Sequence, residues 1–176
     1  MKKLLFFALT AFIMMGCQQS YQTLLVQEMD ISKMETGWGK NHINASVDGN
    51  PLSIDGKIYE QGIGTHAVSQ LLIDVHGTAS QFTALVGVDD ESTEQASVEF
   101  FVLGDGKVLY KSGVMTKGDK AKKVEVGLKG IQKMALFISD GGDNINYDHA
   151  DWVEAMITYR GLEPITIEAE VRPVYV

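Results

Sequence analysis

Phe82-Thr83-Ala84-Leu85-Val86-Gly87-Val88 sets Phe82, Ala84, Val86 and Val88 on one side of an extended chain. That period of two marks a strand with one face in a core. The reading extends outward in both directions. Upstream, Leu71, Ile73 and Val75 alternate within Val68 to Val75; downstream, Val98, Phe100 and Val102 do so within Ser97 to Leu103. Val124, Val126 and Leu128, then Met134, Leu136 and Ile138, then the run Trp152 to Tyr159 repeat it. Gly104-Asp105-Gly106 predicts a hairpin turn, because Asp and Gly tolerate positive φ. Helical periodicity is absent, apart from one turn expected around Asp30 to Thr36. Short strands at close spacing predict an all-β fold, an antiparallel, jelly-roll-like β-sandwich forming one domain over residues 30–161.

The amino terminus reads differently. Met1-Lys2-Lys3 is a short basic segment, and Leu4 to Met15 is an almost unbroken apolar run. Such a run is too short to span a bilayer, which takes about 20 apolar residues. Residues 1–16 are therefore expected to be a signal peptide. Gly16-Cys17 resembles the end of a bacterial lipobox, which implies lipidation of Cys17, the sole cysteine of the chain. The expected protein is exported and attached through that lipid to the membrane of the bacterial cell envelope. Gln18 lacks the aspartate character tied to inner-membrane retention in some bacteria, which points toward the outer membrane. Residues 17–29 read as a tether, although Leu24-Leu25-Val26 hints that it docks. Residues 162–176 read as a last edge strand or as a linker to a further domain, since two of the three prolines lie there beside the run Ile165 to Val171.

The chain has 176 residues and a formal charge of −8. Removal of Lys2 and Lys3 with the signal peptide gives −8 − 2 = −10. An acidic surface is ill suited to phosphate backbones, so nucleic acid is excluded as the expected partner. His42, His66, His76 and His149 show no zinc spacing, and no Gly-x-Ser-x-Gly nucleophile motif occurs. The expected protein is not an enzyme.

Three stretches exceed generic β-structure. They are Gly37-Trp38-Gly39 with Pro51-Leu52-Ser53-Ile54; Tyr59-Glu60-Gln61-Gly62-Ile63-Gly64-Thr65-His66; and Asp140-Gly141-Gly142-Asp143 leading to Asp148-His149-Ala150-Asp151-Trp152. In this order they resemble the NPCBM module, related to the family 51 carbohydrate-binding modules, over roughly Leu25 to Tyr159. The resemblance implies a β-sandwich, often attached to glycoside hydrolases, that binds galactose-containing glycans. Glycoside hydrolases or other envelope proteins are the protein partners it implies, and a protein-docking sandwich or the front module of a hydrolase are the rival roles.

Sugar binding needs an aromatic plane against the C–H face of a pyranose and polar groups for its hydroxyls. Trp38, His66, Asn146, Tyr147, Asp148, His149 and Trp152 are the candidates. His66 reads equally as a buried imidazole holding a turn, and Trp152 as a core residue opening a strand. Alternation sets Asp148, Ala150 and Trp152 on one side of that strand and His149 with Asp151 on the other. Asp140, Asp143, Asn144 and Asp148 are hard oxygen ligands that suit calcium, or form a solvated turn instead.

Overall fold

The computed structural model describes residues 20–169, so the expected signal peptide and Cys17 lie outside the described residues. Two antiparallel sheets pack face to face. The first has β10 (Lys122–Gly127), β7 (Ala79–Val88), β12 (His149–Tyr159), β5 (Gly62–His66) and β2 (His42–Ile43) in that order, with β1 (Gln22–Leu25) also paired to β12. The second has β13 (Ile165–Ile167), β6 (Ser69–Asp74), β11 (Lys133–Ser139), β8 (Ser97–Gly104) and β9 (Lys107–Thr116). A small hairpin joins β3 (Leu52–Ile54) and β4 (Lys57–Tyr59). Among the described residues the helical elements are two three-residue 3-10 turns, Val26–Glu28 and Ile31–Lys33. The second starts where Asp30 caps it by accepting from Ser32 N at 3.1 Å. No helix among these residues is long and apolar enough to cross a membrane.

The alternating residues meet between the sheets. Leu71, Ile73, Phe82, Val86, Phe100, Val102, Leu136, Ile138 and Trp152 are all fully buried in one cluster. Trp152 from the first sheet stands edge-on to Phe100 from the second, centroids 5.2 Å apart at 88°, and close to Phe82 at 6.1 Å. Quadrupole attraction favours this arrangement beyond the area buried. The hairpin of β8 and β9 turns through Asp105 and Gly106, with φ of 47° and 76°. Positive φ at both central residues fits the right-handed twist of the strands.

One segment departs from the linear reading, and a second follows one of its two alternatives. Gln22–Leu25, placed in the tether, forms β1 against β12, and Val26 is fully buried beside it. Ile165–Ile167 pairs with β6 as an edge strand, while residues 170–176 lie outside the described residues. The β3–β4 hairpin covers the outer face of the first sheet, where Leu52, Ile54, Tyr59 and Val153 form a second, smaller cluster.

Candidate functional site

β5 and β12 run antiparallel, and their register makes His66 and His149 direct partners at one end of the first sheet. Their ring centroids lie 5.3 Å apart. Trp38 reaches over both rings. It lies nearly parallel to His149, centroids 5.8 Å apart at 22°, and 5.6 Å from His66. The Trp38 loop is tied to the end of β5. Gly37 N donates to His66 O at 3.2 Å, and Thr36 Oγ1 donates to Trp38 O at 2.9 Å.

Each imidazole is held by its Nδ1. In His66 it lies 2.6 Å from Ala67 O, a group that only accepts, so Nδ1 carries the proton. In His149 it lies 2.9 Å from Glu91 Oε1 and donates to the carboxylate. With Nδ1 so engaged, the neutral form of each ring leaves Nε2 as an acceptor. Burial lowers the His66 pKa, opposed by the Ala67 bond and reinforced by His149, so His66 is neutral at pH 7.

Glu91 anchors the arrangement. Oε2 accepts from Ser46 Oγ at 2.5 Å and Asn50 Nδ2 at 2.9 Å; Oε1 accepts from His149 and from Asp48 N at 3.3 Å. Burial pushes its carboxyl up, but these donors outweigh burial and hold the pKa below its ordinary value. The loop that supplies Ser46, Asp48 and Asn50 lies directly over β5. A Cβ on Gly64 would fall 2.5 Å from Ser46 Cα, so only glycine permits that approach.

A cleft of about 390 Å³ results, lined by Trp38, Asp48, His66, Glu91, Thr93, Ile145, Asn146, Tyr147 and His149. Trp38 is 54% exposed and Tyr147 50%. Tyr147 adopts φ 63°, and its carbonyl accepts from Ser92 Oγ and from His149 N, which fixes that wall to the strands. Five residues expected at the site, Trp38, His66, Asn146, Tyr147 and His149, thus share one cleft.

Two do not. Trp152 is fully buried between Phe82 and Phe100, because the alternation of β12 turns it into the core, and it offers no face to a ligand. Asp148 is also fully buried; its Oδ1 accepts from Ser97 N at 3.0 Å and its Oδ2 has no partner. Burial, with Asp143 and Asp140 nearby, raises the Asp148 pKa to about 7. In the adjoining loop Asp140 Oδ1 accepts from Gly142 N at 3.1 Å. Asp143 Oδ1 accepts from Ser97 Oγ at 3.0 Å and from Asn144 N at 2.6 Å, and Asn144 Oδ1 accepts from Asn146 N at 2.9 Å. These oxygens therefore already serve the turn that carries Asn146 and Tyr147.

Asp48, Glu91 and Thr93 belong to the cleft and escaped the linear reading. Glu91 sat in an acidic run, Asp89-Asp90-Glu91, that looks like any charged strand connection. Asp48 lies in a loop whose position depends on Gly64. Asp48, Glu91 and His149 also bring one ligand atom each within 4.8 Å of one another, the geometry of a metal trio. Four protein donors already occupy Glu91, which argues against it serving as a ligand.

An open aromatic-walled cleft at the end of a β-sandwich, lined by paired imidazoles, is suited to polyhydroxylated ligands. The NPCBM/NEW2 domain family matches residues 22–158, most of the chain. The chain belongs to that family. CBM51 from Clostridium perfringens GH95, solved in complex with methyl-galactose, is 32% identical to this NPCBM chain. That match has a TM-score of 0.70 and covers 77% of this chain and 99% of the other. The alpha-1,3-galactosidase B of Akkermansia muciniphila is 39% identical over 128 residues, 70% of this chain and 16% of that protein. A Renibacterium salmoninarum protein named as an endo-alpha-N-acetylgalactosaminidase is 35% identical over 145 residues, 78% of this chain and 10% of that protein. The chain thus spans a small part of its curated relatives and has the fold of a carbohydrate-binding module.

Proposed function

We propose that the chain is a non-catalytic module that captures the galactose-type ends of glycans in the cleft between Trp38, Tyr147 and the His66–His149 pair. The observation that carries this is the locking of both imidazoles by Nδ1, which aims two fixed acceptors at one ligand. Hydroxyl groups of a pyranose supply the matching donors, and the exposed rings of Trp38 and Tyr147 cover its C–H face. The methyl-galactose bound by the related Clostridium perfringens CBM51 supports a galactose-type ligand. Display on the bacterial envelope through lipid on Cys17, in the outer membrane, completes the reading and rests on the Met1 to Cys17 segment.

The test is titration calorimetry of residues 18–176 with methyl galactoside, after a glycan-array screen. Binding is expected to be weak, since one sugar covers little apolar area. His149→Ala should lower affinity roughly tenfold or more, because one acceptor and the Glu91 clamp are lost together. An array on which the folded protein binds no glycan would sink the proposal. Radiolabelled palmitate entering the wild-type chain but not Cys17→Ser, when expressed in bacteria, checks the anchor.

A further inference from the structure

Building on the glycan-cleft reading, we propose that Asp48 determines which sugars the cleft accepts: its carboxylate takes hydroxyl donors from neutral sugars and, with Glu91, turns away carboxylated and sulfated ones. The two carboxylates differ in what holds them. Glu91 is occupied by four protein donors. Asp48 is exposed, and among the described residues its side chain makes no hydrogen bond or ion pair, only its backbone N–H being engaged. It is therefore the one cleft carboxylate with both oxygens open to a ligand.

Its position is fixed all the same. Ser46 N donates to Asn50 O at 2.8 Å, Gly49 N to Ser46 O at 2.9 Å, and Asn50 N to Ser46 Oγ at 3.0 Å, closing a tight turn around Asp48. Asp48 N and Asn50 Nδ2 both donate to Glu91, which bolts this turn to the strand ends. An ionised carboxylate so placed accepts from two neighbouring hydroxyls in bidentate fashion and makes charge-assisted bonds stronger than those of neutral acceptors.

Charge gives the second half of the argument. Asp48 and Glu91 are the charged residues of the cleft, and neither Lys nor Arg lines it. Among the described residues Asp48 has no ion-pair partner, and His149, the imidazole that reaches a cleft carboxylate, bonds Glu91 and not Asp48. A ligand carboxylate or sulfate entering this cleft meets Coulomb repulsion from the exposed Asp48, a repulsion that salt screens. The chemical class selected is the neutral glycan end.

Calorimetry of residues 18–176 with methyl galactoside, methyl galacturonide and methyl galactoside 3-O-sulfate, at low and at physiological salt, tests this. Wild type should prefer the neutral sugar by about tenfold or more at low salt, and the preference should shrink as salt rises. Asp48→Asn should weaken neutral-sugar binding about tenfold and narrow the gap to the anionic ligands. Asp48→Lys should reverse the preference. Equal wild-type binding of neutral and anionic sugars, or an unchanged ratio in Asp48→Asn, would overturn the inference while leaving the glycan cleft intact. Sugar binding that EDTA abolishes in Asp148→Asn as in wild type would overturn it too, making Asp48, and not the Asp140–Asp148 loop, the metal ligand. A wild-type protein that binds none of the three sugars removes the cleft reading on which it rests.

Discussion

Two pairs of acidic and strand residues lie one alternation apart on the same face of the first sheet, and they have opposite fates. Glu91 and His149 stand at the rim, where Ser46, Asn50 and the Asp48 amide supply donors and the carboxylate stays charged. Asp89 and Asp151 lie just inside, both buried beneath the β3–β4 hairpin. Asp89 has donors, Ser53 N at 3.1 Å and Glu91 N at 2.8 Å, whereas neither Asp151 oxygen has a conventional partner. Burial raises the Asp151 pKa well above the ordinary carboxylate range, and the negative charges of Asp89, Glu91 and Asp90 add to it. Asp89 and Asp151 face each other, an arrangement that a proton held on Asp151 and donated to Asp89 would satisfy. Burial raises the Asp89 pKa too, against its two amide donors, so the fate of each carboxyl is set by burial weighed against the donors that reach it.

The largest effect should come from breaking the inner pair. Asp89→Ala strips the acceptor from two backbone N–H groups and leaves Asp151 alone, so unfolding free energy should fall by roughly 3 kcal/mol. Denaturant melts would measure this, and a loss near zero would mean that water replaces the carboxylate. At the rim, Glu91→Ala should act on binding more than on folding. Its removal frees the His149 ring and the Ser46–Asn50 turn together. Sugar affinity should drop more than tenfold while stability falls by about 1 kcal/mol. A variant equally damaged in both would erase the distinction between the two pairs.

The contrast also explains how far the sequence could be read. The sandwich was legible because Phe82 to Val88 and its counterparts alternate strictly, and such alternation has one stable use. His66, His149, Trp38, Asn146 and Tyr147 were legible as polar and aromatic residues at strand ends and turns. Trp152 stood in the same short motif as His149, and only the direction of alternation, inward for Trp152 and outward for His149, separates core from cleft. Asp48 was not legible, because it comes to the cleft through a loop that crosses β5 over Gly64. Glu91 was equally opaque, since its distinction from Asp89 and Asp90 lies in donors from residues more than 40 positions away.

Smaller effects sharpen the comparison through pH. Because the folded pKa of Asp151 lies above its unfolded value, its contribution to stability is complete below the ordinary carboxylate pKa. It is lost as pH rises toward the folded pKa. Asp151→Asn keeps a donor for Asp89 and cannot titrate, so its stability should decline less between pH 5 and pH 8 than that of wild type, by about 1 kcal/mol. Parallel melting curves for the two proteins across that range would remove the shared proton from the account.

The smallest effect is expected from calcium at the Asp140–Asp148 loop. Oδ1 of Asp140, Asp143 and Asn144 already accepts hydrogens from Gly142, Ser97, Asn144 and Asn146, so the turn is held without a cation and gains little order from one. Adding millimolar calcium should therefore leave the melting temperature within about 1 °C of its chelated value. A larger rise, abolished in Asp148→Asn, would show that the unpartnered Asp148 Oδ2 belongs to a metal and not to the buried-acid pattern of Asp151. The loop carries Asn146 and Tyr147 into the cleft, so in that case sugar affinity should rise with calcium as well. Calorimetry at fixed sugar with varied calcium separates the two: a flat affinity leaves the turn self-sufficient, and a rising one makes it a metal-stabilised wall.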